Sequence, residues 1–127
     1  MPNSKARKPK ISEEHKEAFY QAKILDWLKK NYPDGFFWKA QQGPYSRKGI
    51  PDICAIINGH FFGFEVKRPG EEPTKIQGET ISKMNRAGGT ALAVTTTEQV
   101  RDAIREWESR EMARCRAAAK KDGEANK

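Results

Sequence analysis

The feature of this sequence that most constrains its fold is a pair of β-rich runs, Pro51 to Ile57 and Phe61 to Lys67, separated by Asn58-Gly59. Asparagine followed by glycine favours a type I′ turn, because both residues tolerate the positive φ that this turn requires. The sequence therefore predicts a two-residue β-hairpin. A hairpin of this kind also fixes which residues of the two strands face each other.

The predicted hairpin places two acidic residues opposite each other. Counting outward from the two turn residues sets Asp52 against Glu65. Because side chains alternate along a strand, Lys67 points to the same face as these two acids. The opposite face is apolar and is expected to be core, with Ile53, Phe64 and Val66.

Two carboxylates that face each other on a sheet repel, at a cost of about 0.2 to 1 kcal/mol when exposed and more when buried. A divalent cation between Asp52 and Glu65 would remove this repulsion, and paired hard oxygen ligands are typical of Mg²⁺ sites. Lys67 could then activate a water molecule or neutralise the charge of a phosphate. The alternative is a surface cluster in which Lys67 screens the two acids.

The rest of the chain predicts alternating helices and strands. The expected elements are a helix over 12–31 capped by Ser12, a strand over 36–40, a loop over 41–49, a helix from Thr74 to Arg86, a strand over 91–95 buried on both faces, and a helix capped by Thr97. The order helix, strand, hairpin, helix, strand, helix indicates an α/β fold, with a mixed central sheet that contains the hairpin and is flanked by helices on both faces.

The length of 127 residues suits one domain. We expect a basic disordered arm over 1–11, a single domain over 12–114, and a charged, frayed tail over 115–127. The net charge of +7 is concentrated in residues 1–10 and 39–50, which suits a polyanionic partner such as nucleic acid but also an ordinary solubilising tail.

The sequence carries no sign of export or of membrane insertion. It has no apolar run of membrane-spanning length, and no apolar run follows the basic N-terminus as in a secretory signal. The two cysteines, Cys54 and Cys115, follow no metal-binding spacing. We therefore expect a cytoplasmic protein with no membrane partner.

A specific resemblance rests on these residues. The segment Gly49-Ile50-Pro51-Asp52, followed by Glu65-Val66-Lys67, resembles the PD-(D/E)XK nuclease signature. Residues 17–104 resemble the VRR-NUC (virus-type replication-repair nuclease) family in particular. The resemblance is carried by the segment KGIPD, a hairpin, the segment FEVKRP and a following helix that contains Gln77. The resemblance implies a restriction-endonuclease-like core and a metal-dependent endonuclease that hydrolyses DNA phosphodiester bonds.

The resemblance also assigns roles to individual residues. It implies that Asp52 and Glu65 bind Mg²⁺ or Mn²⁺, that Lys67 acts in catalysis, and that Gln77 lines the site. A first-helix glutamate completes the acidic cluster as a catalytic residue and metal ligand, and Glu17 is the best match for it.

Two of these roles have competing interpretations. Thr74 and Gln77 have the spacing of a capping box, so Gln77 could close the helix N-terminus instead of, or as well as, lining the site. Glu17 could be an ordinary first-turn acid that stabilises the helix dipole, and Glu14 is the alternative match for the first-helix glutamate.

Contacts with DNA are expected from the loop before the hairpin. Its polar and basic residues suit phosphate binding: Tyr45, Ser46, Arg47 and Lys48. The alternative is that these residues form an ordinary solvated loop. The aromatic run Phe36, Phe37 and Trp38 is expected to be core rather than a base-stacking platform. His60, beside the turn, is expected to be exposed.

The resemblance further implies the assembly and the substrate. Standalone members of this size resemble Holliday-junction resolvases, so it implies a homodimer that cuts branched DNA in a bacterial or phage-infected cell. Two alternatives remain: a restriction-type or flap-cutting nuclease of the same superfamily, and a non-catalytic nucleic-acid-binding module with the same fold.

Overall fold

The computed structural model describes residues 16–41 and 43–125. Its elements follow the predicted order: α1 Glu17–Asn31, β1 Phe36–Lys39, β2 Ile53–Ile57, β3 His60–Val66, α2 Lys75–Arg86, β4 Thr90–Val94 and α3 Thr97–Ala125. The basic arm over 1–11, the Ser12 cap and the fallback Glu14 lie outside the described residues.

The four strands form one mixed sheet in the order β1-β2-β3-β4. β1 pairs with β2, and β2 with β3, in antiparallel fashion. β3 and β4 are parallel, so the chain must cross over between them, and α2 makes that crossover. The predicted α/β class with a mixed, helix-flanked sheet is confirmed.

The hairpin forms at the predicted turn with the predicted register. Asn58 and Gly59 have φ values of 51° and 79°, which are the positive values a type I′ turn requires. Ile57 lies opposite His60, and the ladder continues as far as Ile53 opposite Phe64. The next step along the two strands brings Asp52 and Glu65 together.

One face of the sheet is buried beneath α1 and α3. Ile24 and Leu28 from α1, and Val100 and Ile104 from α3, are fully buried. They form one cluster with the apolar hairpin face and β4: Ile53, Ala55, Ile57, Phe62, Phe64, Val66 and Val94. Each such side chain contributes about 1.5–3 kcal/mol when buried, so this cluster fixes which hairpin face points inward.

α2 lies apart from this core and contributes no buried residue to it. The loop at its C-terminal end lies on the other face of the sheet, where Gly89 contacts the ring of Phe61. Asn85 of α2 donates to the carbonyl of Ala91 at 2.9 Å and accepts from its amide at 2.8 Å, which joins α2 to β4. Helices therefore flank the sheet.

The ends of two helices differ from the prediction. The described part of α1 begins at Glu17, because Lys16 has an extended backbone. α3 is capped by Thr96 rather than Thr97, since Thr96 Oγ1 accepts from the Gln99 amide at 3.2 Å. Gln99 Oε1 in turn accepts from the Thr95 and Thr96 amides, so a reciprocal cap forms one residue earlier than predicted.

α3 is also longer than expected. It continues past Arg114, where the sequence predicted the ordered domain to end, to Ala125. Its side chains over 112–123 are all exposed. The division of the chain into arm, domain and tail stays a prediction. None of the described helices is long and apolar enough to cross a membrane.

The burial predicted for β4 and for the aromatic run of β1 is only partly correct. In β4, Ala91 and Val94 are buried but Leu92 and Ala93 are half-buried, because β4 is an edge strand. In β1, also an edge strand, Phe37 packs against the core. Its neighbours Phe36 and Trp38 point the other way and are 66% and 38% exposed, so the prediction was wrong for them.

The expected exposure of His60 is also wrong. Its ring is half-buried and stacks on Trp107 of α3, with ring centroids 4.5 Å apart. Its Nε2 atom hydrogen-bonds to the hydroxyl of Thr90 at 2.8 Å. Burial lowers the pKa of His60, which favours the neutral ring. The sequence could not show that α3 crosses this end of the hairpin.

Candidate active site

The position of Asp52 is fixed by the end of the hairpin ladder. Its carbonyl accepts from the amide of Ala40, and its carboxylate Oδ2 accepts from the amide of Val66 at 2.8 Å. The side chain thus binds the backbone of the partner strand beside Glu65. This contact holds one carboxylate oxygen of Asp52 in place.

Glu65 is a buried carboxylic acid in contact with Asp52. Its side chain is almost fully buried, at 1% exposure for the residue, and Oε1 has no hydrogen-bond partner among the described residues. Burial, followed by the neighbouring Asp52 carboxylate, raises the pKa of Glu65 to about 8. The predicted alternative of an exposed surface cluster does not describe this residue.

Lys67 joins the hairpin to the first helix. The lysine is buried, and its Nζ lies 3.7 Å from Glu65 Oε2 and 3.7 Å from Glu17 Oε2. Glu17 stands in the first turn of α1, and the packing of Ile24 and Leu28 against the sheet directs that turn toward the end of β3. Glu17 therefore contacts the predicted catalytic lysine, beyond any effect on the helix dipole.

Arg68 and Glu71, which are not among the predicted site residues, complete this cluster. Pro69 and Gly70, with φ of 84° at Gly70, form a tight turn closed by the Glu71 amide donating to the Arg68 carbonyl. The Glu71 carboxylate accepts from the Arg68 amide at 2.9 Å and from its guanidinium at 2.8 Å.

A protonated Glu17 side chain can also donate a hydrogen bond to the Glu71 carboxylate. The bonds from Arg68 hold the pKa of Glu71 down at about 2, whereas burial, followed by the bond to Glu71, raises the pKa of Glu17. Glu71 thus connects the turn after β3 to the first turn of α1. The Arg-Pro-Gly-Glu turn was readable in the sequence, but its contact with α1 was not.

The other predicted site residues are not joined to this cluster. Gln77 forms the capping box that was its alternative role. Its side-chain oxygen Oε1 accepts from the Thr74 backbone amide, and the Gln77 backbone amide donates to Thr74 Oγ1. No hydrogen bond or ion pair of the described residues links Gln77 to Asp52, Glu65 or Lys67. Its role in the site stays a prediction.

The loop expected to contact DNA lies on the surface. Tyr45 is fully exposed, Arg47 and Lys48 are exposed, and Ser46 is half-buried with its amide bonded to the Gly43 carbonyl. The DNA-binding role of these residues stays a prediction.

The donor set at the site suits a hard divalent cation. Asp52 and Glu65 offer carboxylate oxygens side by side, and the buried Glu65 Oε1 has no partner of its own within the described chain. A cation here would also offset the repulsion from Asp52, which adds to burial in raising the pKa of Glu65. Residues 16–41 and 43–125 contain no group of three or more acidic, histidine or cysteine side chains placed so that together they could hold a metal ion. The ligand role of Glu17 therefore stays a prediction.

Compared with solved structures, the chain is similar to one described as "VRR_NUC domain". The match covers 68% of this chain and 95% of that one, with a TM-score of 0.54 and 21% sequence identity. No protein-family model and no curated protein matches the chain. The predicted resemblance is thus confirmed as a likeness of fold: this chain has the nuclease-type fold of a VRR_NUC domain.

Proposed function

We propose that this protein is a metal-dependent endonuclease that hydrolyses DNA phosphodiester bonds. The observation that carries the proposal is the pairing of Asp52 with the buried Glu65, whose Oε1 lacks a hydrogen-bond partner within the described chain. A fold that needed only a stable hairpin would gain from losing the buried Glu65 carboxylate beside Asp52. Binding of DNA alone gains nothing from two acids that face a phosphate.

Asp52 and Glu65 are the residues that would hold Mg²⁺ or Mn²⁺. When bound, such a cation supplies charge stabilisation at the scissile phosphate and lowers the pKa of a bound water. Asp52 is oriented by the Val66 amide, and Glu65 is fixed by its burial. Both ligands are therefore preorganised, Asp52 directly before β2 and Glu65 near the end of β3, as a precise catalytic site requires.

Lys67 supplies a positive charge beside these carboxylates. Its ammonium is 3.7 Å from each of its two acidic neighbours, which is longer than a hydrogen bond, so its N–H groups remain able to donate to a phosphate oxygen or to the attacking water. Glu17 holds the ammonium from the side of α1. In this proposal Gln77 lines the site, and Glu17 is a third acidic residue of the site, beside Asp52 and Glu65.

The substrate we propose is branched DNA, cut by a homodimer in the cytoplasm of a bacterial or phage-infected cell. The support is the resemblance of KGIPD and FEVKRP, with the likeness of fold. A dimer would present two sites, as symmetric cleavage of a four-way junction requires. The exposed loop of Tyr45, Ser46, Arg47 and Lys48 would contact the phosphates near the site.

The test is cleavage of a labelled four-way junction, a flap and a linear duplex, each with Mg²⁺, Mn²⁺ or EDTA. We expect cleavage of the junction with either metal, none with EDTA, and a loss of at least about 100-fold in Asp52→Asn. Asp26→Asn, the same chemical change at an exposed position of α1, is the matched control and should cut normally. Cleavage that survives both EDTA and Asp52→Asn would refute the metal site. Junction binding without cleavage under every metal would favour a binding module, and preference for a flap or duplex would revise the substrate.

A further inference from the structure

A basic surface lies on α2, outside the cluster around Asp52. The outward side of this helix carries Lys75, Gly78, Ser82, Lys83 and Arg86, which we call the α2 basic face. At 100° per residue these positions fall within one side of the helix, and together with Glu79 they line a shallow groove. The three cations and Ser82 are exposed.

We propose that the α2 basic face binds the phosphate backbone of DNA. Three cations oppose one acid along the groove, so its charge is complementary to a polyanion. From Lys75 to Arg86 the helix rises about 17 Å at about 1.5 Å per residue, which is about five base-pair steps of a duplex. The length and charge of the face thus fit a short stretch of one DNA strand.

Gly78 supports this proposal independently of charge. Glycine is the least favourable helix-interior residue after proline. Yet Gly78 has no positive φ, and a Cβ added there would meet nothing within 4 Å. Neither backbone strain nor packing therefore requires glycine at this position. A missing side chain between the cations does allow a bulky partner to approach the helix backbone closely.

The α2 basic face also continues toward the loop predicted to contact DNA. Gly49, which follows Arg47 and Lys48, packs against α2, because a Cβ at Gly49 would lie 2.8 Å from Ile76 Cγ2 and 2.6 Å from Thr80 Oγ1. Ile76 lies next to Lys83 around the helix circumference. The Gly49 end of the loop therefore adjoins the side of α2 next to the α2 basic face.

This inference rests on the proposed function only for the choice of DNA as the partner. Binding is therefore measured in EDTA, where no metal-dependent cleavage occurs. The measurement is the fluorescence anisotropy of a labelled duplex over a range of NaCl concentrations. In Lys83→Gln/Arg86→Gln we expect the slope of log Kd against log salt to fall by about two, since each phosphate contact contributes about 0.9. Lys29→Gln/Lys30→Gln removes the same charge from the last turn of α1 and should keep the slope of the unmodified protein.

The variant Gly78→Gln distinguishes the loss of a DNA contact from a loss of folding. This substitution should weaken DNA binding while leaving the melting temperature equal or higher, because glutamine is a better helix former. An unchanged slope in the α2 double variant, or an equal fall in both double variants, would overturn the proposal. So would a change of the α2 variants from dimer to monomer by light scattering, which would make this face a contact between copies. A protein that binds DNA through α2 but never cleaves it would refute only the nuclease function.

Discussion

The substitution Glu65→Gln should stabilise the metal-free protein while abolishing its activity. Glu65 is buried against Asp52, and these two effects place its pKa near 8, compared with 4.5 for an ordinary glutamate. A glutamine has nearly the same shape, carries no charge, and can donate an N–H to the Asp52 carboxylate. The substitution therefore removes the cost of ionising a buried acid beside another acid.

The magnitude and sign follow from the two pKa values. Between pH 4.5 and about 8 the unfolded chain has lost the Glu65 proton while the folded protein retains it. The free energy of unfolding must then fall as the pH rises through this window. A difference of about 3.5 pH units at about 1.4 kcal/mol each is on the order of 5 kcal/mol. In Glu65→Gln this pH-dependent loss is absent.

The assay is urea unfolding in EDTA, followed by circular dichroism at pH values from 4.5 to 8.5. We expect the variant and the unmodified protein to be similar at pH 4.5 and to diverge in favour of the variant by pH 8. Glu72→Gln, at an exposed loop position, should change stability by less than about 0.5 kcal/mol at any pH. A variant that is less stable than the unmodified protein at pH 8, or a difference that does not depend on pH, would refute the reasoning.

Three further predictions concern the turn, the Arg68–Glu71 cluster and the last helix. Gly59→Ala should lower the free energy of unfolding by about 1 kcal/mol, because Gly59 has φ of 79°, and an unchanged urea midpoint would contradict the turn assignment. Glu71→Ala should lower the kcat of DNA cleavage while the Kd for DNA in EDTA stays unchanged, since Glu71 lies beside Glu17, which contacts Lys67. A change in Kd alone would place Glu71 in DNA binding instead. Truncation after Arg114 should change the free energy of unfolding by less than about 0.5 kcal/mol relative to the full chain, because the side chains over 112–123 are exposed. A larger loss, measured by urea titration, would show that the tail is part of the domain.

The hairpin and its register were predictable because they depend on local chemistry. Asn58 and Gly59 fix the turn, and the alternation of side chains then fixes which residues share a face. The core positions Ile24, Val100 and Ile104 were likewise predictable from helical periodicity. These signals lie within a few residues of the features that they predict.

The burial of Glu65, the proximity of Glu71 to Glu17, and the stacking of His60 on Trp107 were not predictable in this way. Each depends on how α1 or α3 lies across the sheet, and hence on residues far apart in the chain. The Thr96 cap was missed for a more local reason. Three threonines in succession can each cap a helix, and only the side chain of Gln99 selects among them.

We propose that Asp52 and Glu65 together bind the divalent cation on which cleavage depends. The most direct measurement is the titration of the metal-free protein with Mn²⁺ by isothermal calorimetry at pH 8, in parallel with Asp52→Asn, Glu65→Gln and the control Asp26→Asn. We predict Mn²⁺ binding by the unmodified protein and by Asp26→Asn, and at least a tenfold weaker affinity, about 1.4 kcal/mol, in the two site variants. Equal Mn²⁺ affinity in all four proteins would contradict the account.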